Sequence, residues 1–435
     1  MMRVSLHTLG CKLNFADTGT IGRAFTERGF RTVPFGESSD VAVINTCTVT
    51  EEAERKCRQA IRRALRANPG TYVIVTGCYA QLRPEEIAEI EGVDLVLGTA
   101  EKQDVFAYAE AFTKNERTQV HVSCIDDAVD FGPSHAAGER TRAFLKVQDG
   151  CDYSCSFCTI PAARGRSRSH SIAGAVHEAE AIGKAGFSEV VVSGINLGLF
   201  GQDTGETLLD LLRRLDAVES IRRFRISSIE PNLLSDEVID FVAGSRAFQP
   251  HFHVPLQSGD DEVLGTMRRR YQRNVYADRV ARIRQQMPHA CIGVDVIVGF
   301  PTETDARFRN TVGFLEDLEV SYLHVFTYSE RPGTTAVAHF GSNVIDRAVR
   351  SERNRTLRLV SAAKRNAFYR SHVGSVRPVL WEAPDGEVIQ GFTDNYIRVR
   401  RPSQPHLVGT IERVQLVDVA ADGRVEVRTP GLAIV

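Results

Sequence analysis

Short apolar runs alternate with amphipathic stretches along the first quarter of this chain. Residues 4–8, 41–45, 72–76 and 94–98 are rich in Val, Ile and Leu and read as buried strands. Residues 51–66 and 84–90, between them, space their apolar side chains as helices do. That rhythm predicts an N-terminal parallel α/β domain over residues 1–115. A polar, turn-rich stretch at 116–140, with Asp126, Asp127, Gly132, Pro133, Ser134 and Gly138, reads as a linker. From 141 to 370, six strand-like runs recur at 144–147, 189–193, 224–228, 251–254, 292–298 and 322–326. Helical patterns such as 173–185, 207–215 and 276–286 separate them. Six β/α units fall short of a full eight-unit barrel, so a partial, open barrel is expected. Near residue 372 helical periodicity stops. Alternating runs at 376–381, 387–392, 397–400, 409–417 and 425–428 predict a small five-stranded, OB-like β-barrel over 372–435. The fold class is α/β with this all-β appendage.

Composition adds the compartment. No apolar run is long enough to cross a membrane, and the N-terminus lacks a signal-peptide core. A cytoplasmic protein without membrane contact is expected. There the nine cysteines stay reduced, which favours metal binding or chemistry over bridges. The net charge of −2 decides nothing about nucleic acid. Arginines bunch at Arg62, Arg63 and Arg66, at Arg164, Arg166 and Arg168, at Arg222 and Arg223, at Arg268 to Arg270, and at Arg398, Arg400 and Arg401. Arginine gives bidentate phosphate contacts, so the last bunch, on the small barrel, is the candidate RNA-binding patch. The alternative for each bunch is a solvated face.

Two sets of cysteines carry the chemistry. Cys151, Cys155 and Cys158 form a C-x₃-C-x₂-C pattern in the loop after the first barrel strand. Three close thiolates hold three corners of a [4Fe–4S] cluster and leave one iron without a protein ligand. S-adenosylmethionine offers that iron an amine and a carboxylate, and an electron from the cluster then cleaves its carbon–sulfur bond. A zinc site is the alternative; it needs a fourth ligand, for which His170 and Cys291 are candidates. Cys11, Cys47 and Cys78 each follow a predicted strand of the first domain, where the carboxyl ends of a parallel sheet meet. They read as a second cluster site, the alternative being three buried, apolar-behaving thiols. Cys57 and Cys124 have no partner pattern. His251 and His253 share one face of a strand and line the barrel.

Cys151-x₃-Cys155-x₂-Cys158, with Phe157 before the last cysteine, resembles the radical S-adenosylmethionine superfamily. Leu9-Gly10-Cys11-Lys12-Leu13-Asn14, Asn45-Thr46-Cys47-Thr48-Val49-Thr50 and Thr76-Gly77-Cys78-Tyr79-Ala80-Gln81 resemble the three cysteine motifs of its methylthiotransferases. Pro255 to Gly259 and Asp295 to Thr304 are similar to their barrel motifs, and the domain order agrees, ending in a TRAM domain. The resemblance implies two [4Fe–4S] clusters. The one on Cys151, Cys155 and Cys158 would generate an adenosyl radical. The one on Cys11, Cys47 and Cys78 would supply sulfur to C2 of an adenine, and a second S-adenosylmethionine would give the methyl group. Phe157 and Gly299 with Glu303 are expected S-adenosylmethionine contacts, as are Ser228 and Glu230 from their place after the third barrel strand, the alternative being a satisfied strand end. Arg331, in the rim loop after the sixth strand, is expected to face substrate or cofactor. The resemblance further implies that the Gly-rich turn at Gly194 meets the methionine amine. Its expected partners are the tRNA anticodon loop, a reductant such as flavodoxin or ferredoxin, and a sulfur donor. The motifs look most like the group acting on N6-threonylcarbamoyladenosine at position 37. N6-isopentenyladenosine, a ribosomal-protein aspartate, and a zinc-containing RNA-binding module are the alternatives. Arg164, Arg166 and Arg168 are expected beside RNA phosphate or a cofactor carboxylate.

Overall fold

Six parallel strands form the first sheet: β1 (Arg3–Thr8), β2 (Arg31–Val33), β3 (Val41–Thr46), β4 (Tyr72–Gly77), β5 (Leu95–Leu97) and β6 (Gln119–His121). Their order is β2-β1-β3-β4-β5-β6. The computed structural model describes residues 1–435 except 49, 110, 129–130, 133, 137–140 and 431–435. Val49, Pro133 and Gly138, named above, lie outside the described residues. β3 and β4 are buried at every position, as expected of central strands covered on both faces. Helix α1 (Lys12–Glu27) sets Ile21 and Phe25 against one face, and α2 (Glu51–Ala67) sets Cys57, Ala60 and Ile61 against the other. The helices leave β1 and β3 towards opposite faces. A crevice therefore opens at the carboxyl ends of these two neighbours.

The stretch read as a linker is not only a linker. It gives β6 to the first sheet and β7 (Ser134–Ala136), antiparallel to β8 (Ala143–Lys146), to the second. Both strands are three-residue edges, too short to show alternation.

The second domain is the expected open barrel. Parallel strands β8, β11 (Glu189–Ser193) and β12 (Arg223–Ile226) form one half, and β13 (His251–His253), β14 (Cys291–Val298) and β15 (Tyr322–Thr327) the other. Bridges Phe224–Phe248 and Ser228–His253 join the halves. A two-residue ladder, β9 (Gln148–Asp149) on β10 (Arg168–Ser169), brackets the Cys151–Cys158 loop. Val190, Val192, Phe224 and Ile226 pack outward under the helices. The alternate positions Glu189, Val191, Arg225, His251, His253 and Asp295 face the lumen, as strand periodicity requires. The start of α1 fits the open side, Phe15 and Ala16 packing on Phe144 and Val191.

Strands β16 (Val376–Trp381), β17 (Val388–Thr393), β18 (Arg398–Pro402), β19 (Ile411–Val419) and β20 (Val425–Arg428) close the small barrel. Its β17–β18 turn seals the amino end of the large barrel. Arg225 donates to the carbonyls of Thr393 (2.7 Å) and Asp394 (2.8 Å), and Tyr396 stacks on His251 with centroids 4.1 Å apart.

Candidate active site

The sheet order brings Cys11, Cys47 and Cys78 together. Cys11 caps α1 after β1, Cys47 follows β3, and Cys78 opens helix α3 (Cys78–Leu82) after β4. Two glycines permit the approach. Gly10 has φ of +99°, and a Cβ there would stand 2.7 Å from Cβ of Cys47. Gly77 has φ of +95°, and a Cβ there would meet the carbonyl of Thr46 at 2.5 Å. Both conformations favour glycine.

The second trio lies on the carboxyl rim of the large barrel. Each thiol receives one donor. The Tyr153 N–H points to Sγ of Cys151 (3.4 Å), Arg269 Nη1 to Cys155 (3.1 Å) and the Ile160 N–H to Cys158 (3.4 Å). Such donors suit sulfurs that carry charge within a cluster. Burial pushes the Cys151 thiol up to about 11 and the Cys158 thiol up to about 12. Neither ionises at neutral pH without a cation to hold it. The zinc alternative loses its fourth ligand: Cys291 is packed at the opposite, amino end of β14, and His170 stacks on Phe131 and faces Glu178.

A buried charge cluster links the two trios. The helix Ile160–Arg164 follows Cys158 and packs on α3, Thr99 Oγ1 donating to the Ala163 carbonyl at 2.8 Å. At its end Arg164, fully buried, donates Nη1 to Asp149 (2.8 and 3.0 Å), Nη2 to Asn14 and Nε to Sγ of Cys78 (3.3 Å). Asp17 accepts from Lys102 (2.6 Å), Lys146 (3.0 Å) and Ser134 (2.9 Å). Burial alone would raise both carboxyls. Lys102, Lys146 and Arg164 overcome it and hold Asp17 and Asp149 well below the usual carboxylate range. Three cations against two carboxylates leave one positive charge beside Cys11 and Cys78. That excess matches the single negative charge of an oxidised [4Fe–4S] core on three thiolates, so these residues fit the group.

While Cys151 borders a separate space of about 440 Å³ with Tyr153 and Arg166, two adjoining spaces that share Gly10 and Phe15 in their walls lie beside Cys11 and Cys47. One is the lumen, about 470 Å³, lined by Cys11, Lys12, Gly194, Ser228 and His253. The other is a cleft of about 1430 Å³ leading outward past Cys47, Arg58, Phe326 and Arg347. Phe326, on the open edge β15, is 47% exposed. In the lumen Ser228 Oγ meets His253 Nδ1 (3.0 Å), and His253 Nε2 meets Asp295 Oδ1 (2.7 Å). Asp295, His253 and His324 bring ligand atoms within 4.8 Å of one another, but those hydrogen bonds already hold two of the three. Burial and the nearby Arg142 pull the Lys12 ammonium down to about 8, Asp295 and Cys11 opposing.

The other expected residues fall as follows. Phe157 packs beside Ile297 and Phe300, Gly194 borders the lumen, and the Gly299 N–H donates to Glu303 (2.8 Å). Glu303 is held in turn by Arg353 (2.7 Å). Glu230 is clasped by Arg269, so its carboxylate positions the arginine that holds Cys155. Arg331 pairs with Glu54 of α2 and Thr48, tying the two domains. Arg164 and Arg168 are interior, contrary to the phosphate-facing expectation; Arg168 donates to the Ala128 and Arg164 carbonyls, and only Arg166 is exposed. In the RNA patch read from sequence, Arg400 pairs with Asp422 (2.7 Å) and Glu426 (3.2 Å). Arg401 pairs with Glu412 (3.0 Å) and stacks on Trp381, and Arg398 donates to Gln390. Sequence reading missed the Arg347–Arg370 helix. Arg347, Arg355, Arg358 and Arg365 are exposed on one stripe of it, Glu352 is its one acid, and none of the four makes an ion pair among the described residues.

Comparison with known proteins agrees with this architecture. Residues 3–98 match the family described as Uncharacterized protein family UPF0004, and 145–315 match the Radical SAM superfamily. A threonylcarbamoyladenosine tRNA methylthiotransferase MtaB from Bacillus subtilis (strain 168) is 38% identical over 96% of this chain and 94% of its own. Its namesake from Aquifex aeolicus (strain VF5) is 38% identical over 95% of this chain and all of its own. A tRNA-2-methylthio-N(6)-dimethylallyladenosine synthase from Desulfotalea psychrophila is 32% identical over 90% and 91%. The radical S-adenosylmethionine methyltransferase TsrM from Kitasatospora setae, solved with cobalamin and a [4Fe–4S] cluster, shares the fold. Its TM-score is 0.57 at 16% identity, over 77% of each chain. The chain thus belongs to the radical S-adenosylmethionine tRNA methylthiotransferases, enzymes of two [4Fe–4S] clusters and S-adenosylmethionine.

Proposed function

We propose that this enzyme adds a methylthio group to C2 of N6-threonylcarbamoyladenosine at position 37 of tRNA. One observation carries the proposal: Cys11 and Cys47 border two adjoining spaces wide enough for a nucleotide, and Arg164 joins Cys78 to the helix that follows Cys158. Cys151, Cys155 and Cys158 would hold the cluster that supplies reductive cleavage of S-adenosylmethionine, and Cys11, Cys47 and Cys78 the one that supplies sulfur. The chain's own residues do the rest. Tyr153, Arg269 and Ile160 donate to the three rim sulfurs, and Glu230 fixes Arg269. Arg164 neutralises charge at Cys78. Phe326, exposed at the cleft mouth, is a stacking surface for an unpaired base entering from solvent.

The RNA stem is carried by the Arg347–Arg370 helix. Arg347 lines the cleft, and the stripe from there to Arg365 runs about 27 Å at the helical rise of ~1.5 Å per residue. An unpaired row of guanidinium groups suits a phosphate backbone. The preference for threonylcarbamoyladenosine is favoured by the two MtaB relatives, both more similar than the dimethylallyladenosine enzyme.

The test is direct. Reconstituted protein, reductant and S-adenosylmethionine are incubated with anticodon stem-loops carrying threonylcarbamoyl- or isopentenyladenosine, and the nucleosides are read by mass spectrometry. A methylthio product on the threonylcarbamoyl substrate is expected. Conversion of the isopentenyl substrate alone refutes the assignment.

A further inference from the structure

The lumen holds one charged group that the cluster chemistry does not use. Lys12, the first residue of α1, lies beside Cys11 and lines the cavity. The same cavity is walled by Arg142 beside β8, Arg225 on β12, and His251 and His253 on β13. The other lumen cations are answered. Arg142 pairs with Glu382 (2.8 Å), and Arg225 and Arg223 share Glu189 (2.8 and 3.7 Å). Asp295 gives its carboxylate to His253. Among the described residues, Lys12 is the lumen cation with no ion pair or hydrogen bond of its own. A half-buried ammonium facing a cavity with no counter-charge of its own suits an anionic ligand.

We propose that Lys12 anchors the carboxylate of the threonyl group on N6-threonylcarbamoyladenosine, selecting this acidic nucleoside over one with an apolar N6 substituent. The assignment rests on the substrate reading above. Two carboxylates enter this site, the threonyl one and the methionyl one of S-adenosylmethionine. The methionyl amine and carboxylate form the chelating pair suited to an iron without a protein ligand at the rim trio. Lys12 answers the other from within the lumen, over a floor made by Arg225, His251 and Tyr396.

Equilibrium binding tests this without turnover. Fluorescence anisotropy on iron-loaded protein compares stem-loops carrying threonylcarbamoyladenosine, its carboxamide analogue and plain adenosine. Calorimetry gives S-adenosylmethionine affinity, and iron per chain is measured for each protein. Wild type should bind the acid roughly ten- to a hundredfold tighter than the carboxamide, as a charge-assisted contact implies. Lys12→Gln should close that gap with cofactor affinity unchanged, and Lys12→Arg should keep most of it. No gap in wild type, or a gap that survives in Lys12→Gln, overturns the assignment. Loss of cofactor affinity with the gap intact overturns it too, and gives the ammonium to the methionyl carboxylate. The wild-type arm needs no variant, so a variant that fails to load iron does not rescue the idea. Failure of the substrate reading is separately visible: wild type then converts isopentenyladenosine in the nucleoside assay.

Discussion

Replacing Arg164 with Met should loosen the junction between the two cysteine trios. The substitution keeps the apolar stem and removes the charge from a fully buried site. Asp149 loses two contacts at 2.8 and 3.0 Å but keeps the Gly150 N–H (2.9 Å) and Lys146 (3.3 Å). Breaking a buried pair costs about 3–5 kcal/mol, and this remaining support puts the cost near the lower end. The Asn14 side-chain Oδ1, deprived of its guanidinium donor, adds about 1 kcal/mol. Asp17 keeps Lys102, Lys146 and Ser134 and adds little. The sum, about 4 kcal/mol, raises local opening by roughly a thousandfold. Hydrogen exchange of the iron-free protein reads it, in peptides spanning the first turns of α1 and strand β8. Arg164→Lys keeps the charge without the planar fork and should fall between the two. Protection unchanged within about threefold in Arg164→Met would refute the claim that this guanidinium holds the junction.

Further outcomes follow from the same contacts. Asp17 and Asp149 have depressed carboxyls in the folded chain, so their stabilisation is full above about pH 4 and drains as pH falls through their folded values. Acid unfolding of Arg164→Met, followed by near-UV circular dichroism, should start at higher pH than in wild type; coincident curves would contradict this. Cys155→Ala should abolish S-adenosylmethionine cleavage, whereas Cys47→Ala should keep cleavage and lose sulfur insertion, both read as 5′-deoxyadenosine and methylthio nucleoside by mass spectrometry. Sulfur insertion surviving in Cys47→Ala removes the second cluster from the account. Arg355→Gln with Arg358→Gln should weaken tRNA binding and lower the salt slope by about two. Arg401→Ala should instead leave tRNA affinity alone and destabilise the small barrel, which the fluorescence of Trp381 reports. The reverse pattern would move the RNA site to β18.

The backbone plan was legible because its strands are either wholly buried runs, as at β3 and β4, or alternate cleanly, as in the small barrel. The three cysteines of the first domain were legible for a topological reason: they follow β1, β3 and β4, and parallel neighbours bring their carboxyl ends together. Periodicity says nothing about which charge meets which across long stretches of chain. Arg164 reaches Asn14 and Cys78, and Lys146 reaches Asp17, through tertiary packing alone. The arginines after Cys158 therefore read as phosphate contacts, although Arg164 and Arg168 turn inward. One signal was present. Asp17 shares the buried stripe of α1 with Leu13 and Ile21, and a carboxylate there demands a buried cation. The pairing of Arg331 with Glu54 and of Arg400 with Asp422 left no trace in sequence, since each partner lies on another element.

The central claim is that six cysteines hold two separate clusters on either side of Arg164. Iron and sulfide analysis after anaerobic reconstitution tests it most directly. It compares wild type with two triple variants, Cys11→Ala/Cys47→Ala/Cys78→Ala and Cys151→Ala/Cys155→Ala/Cys158→Ala. About eight irons per chain are expected for wild type and about four for each variant. A wild type that saturates at about four irons, or a triple variant that keeps the full complement, would contradict it.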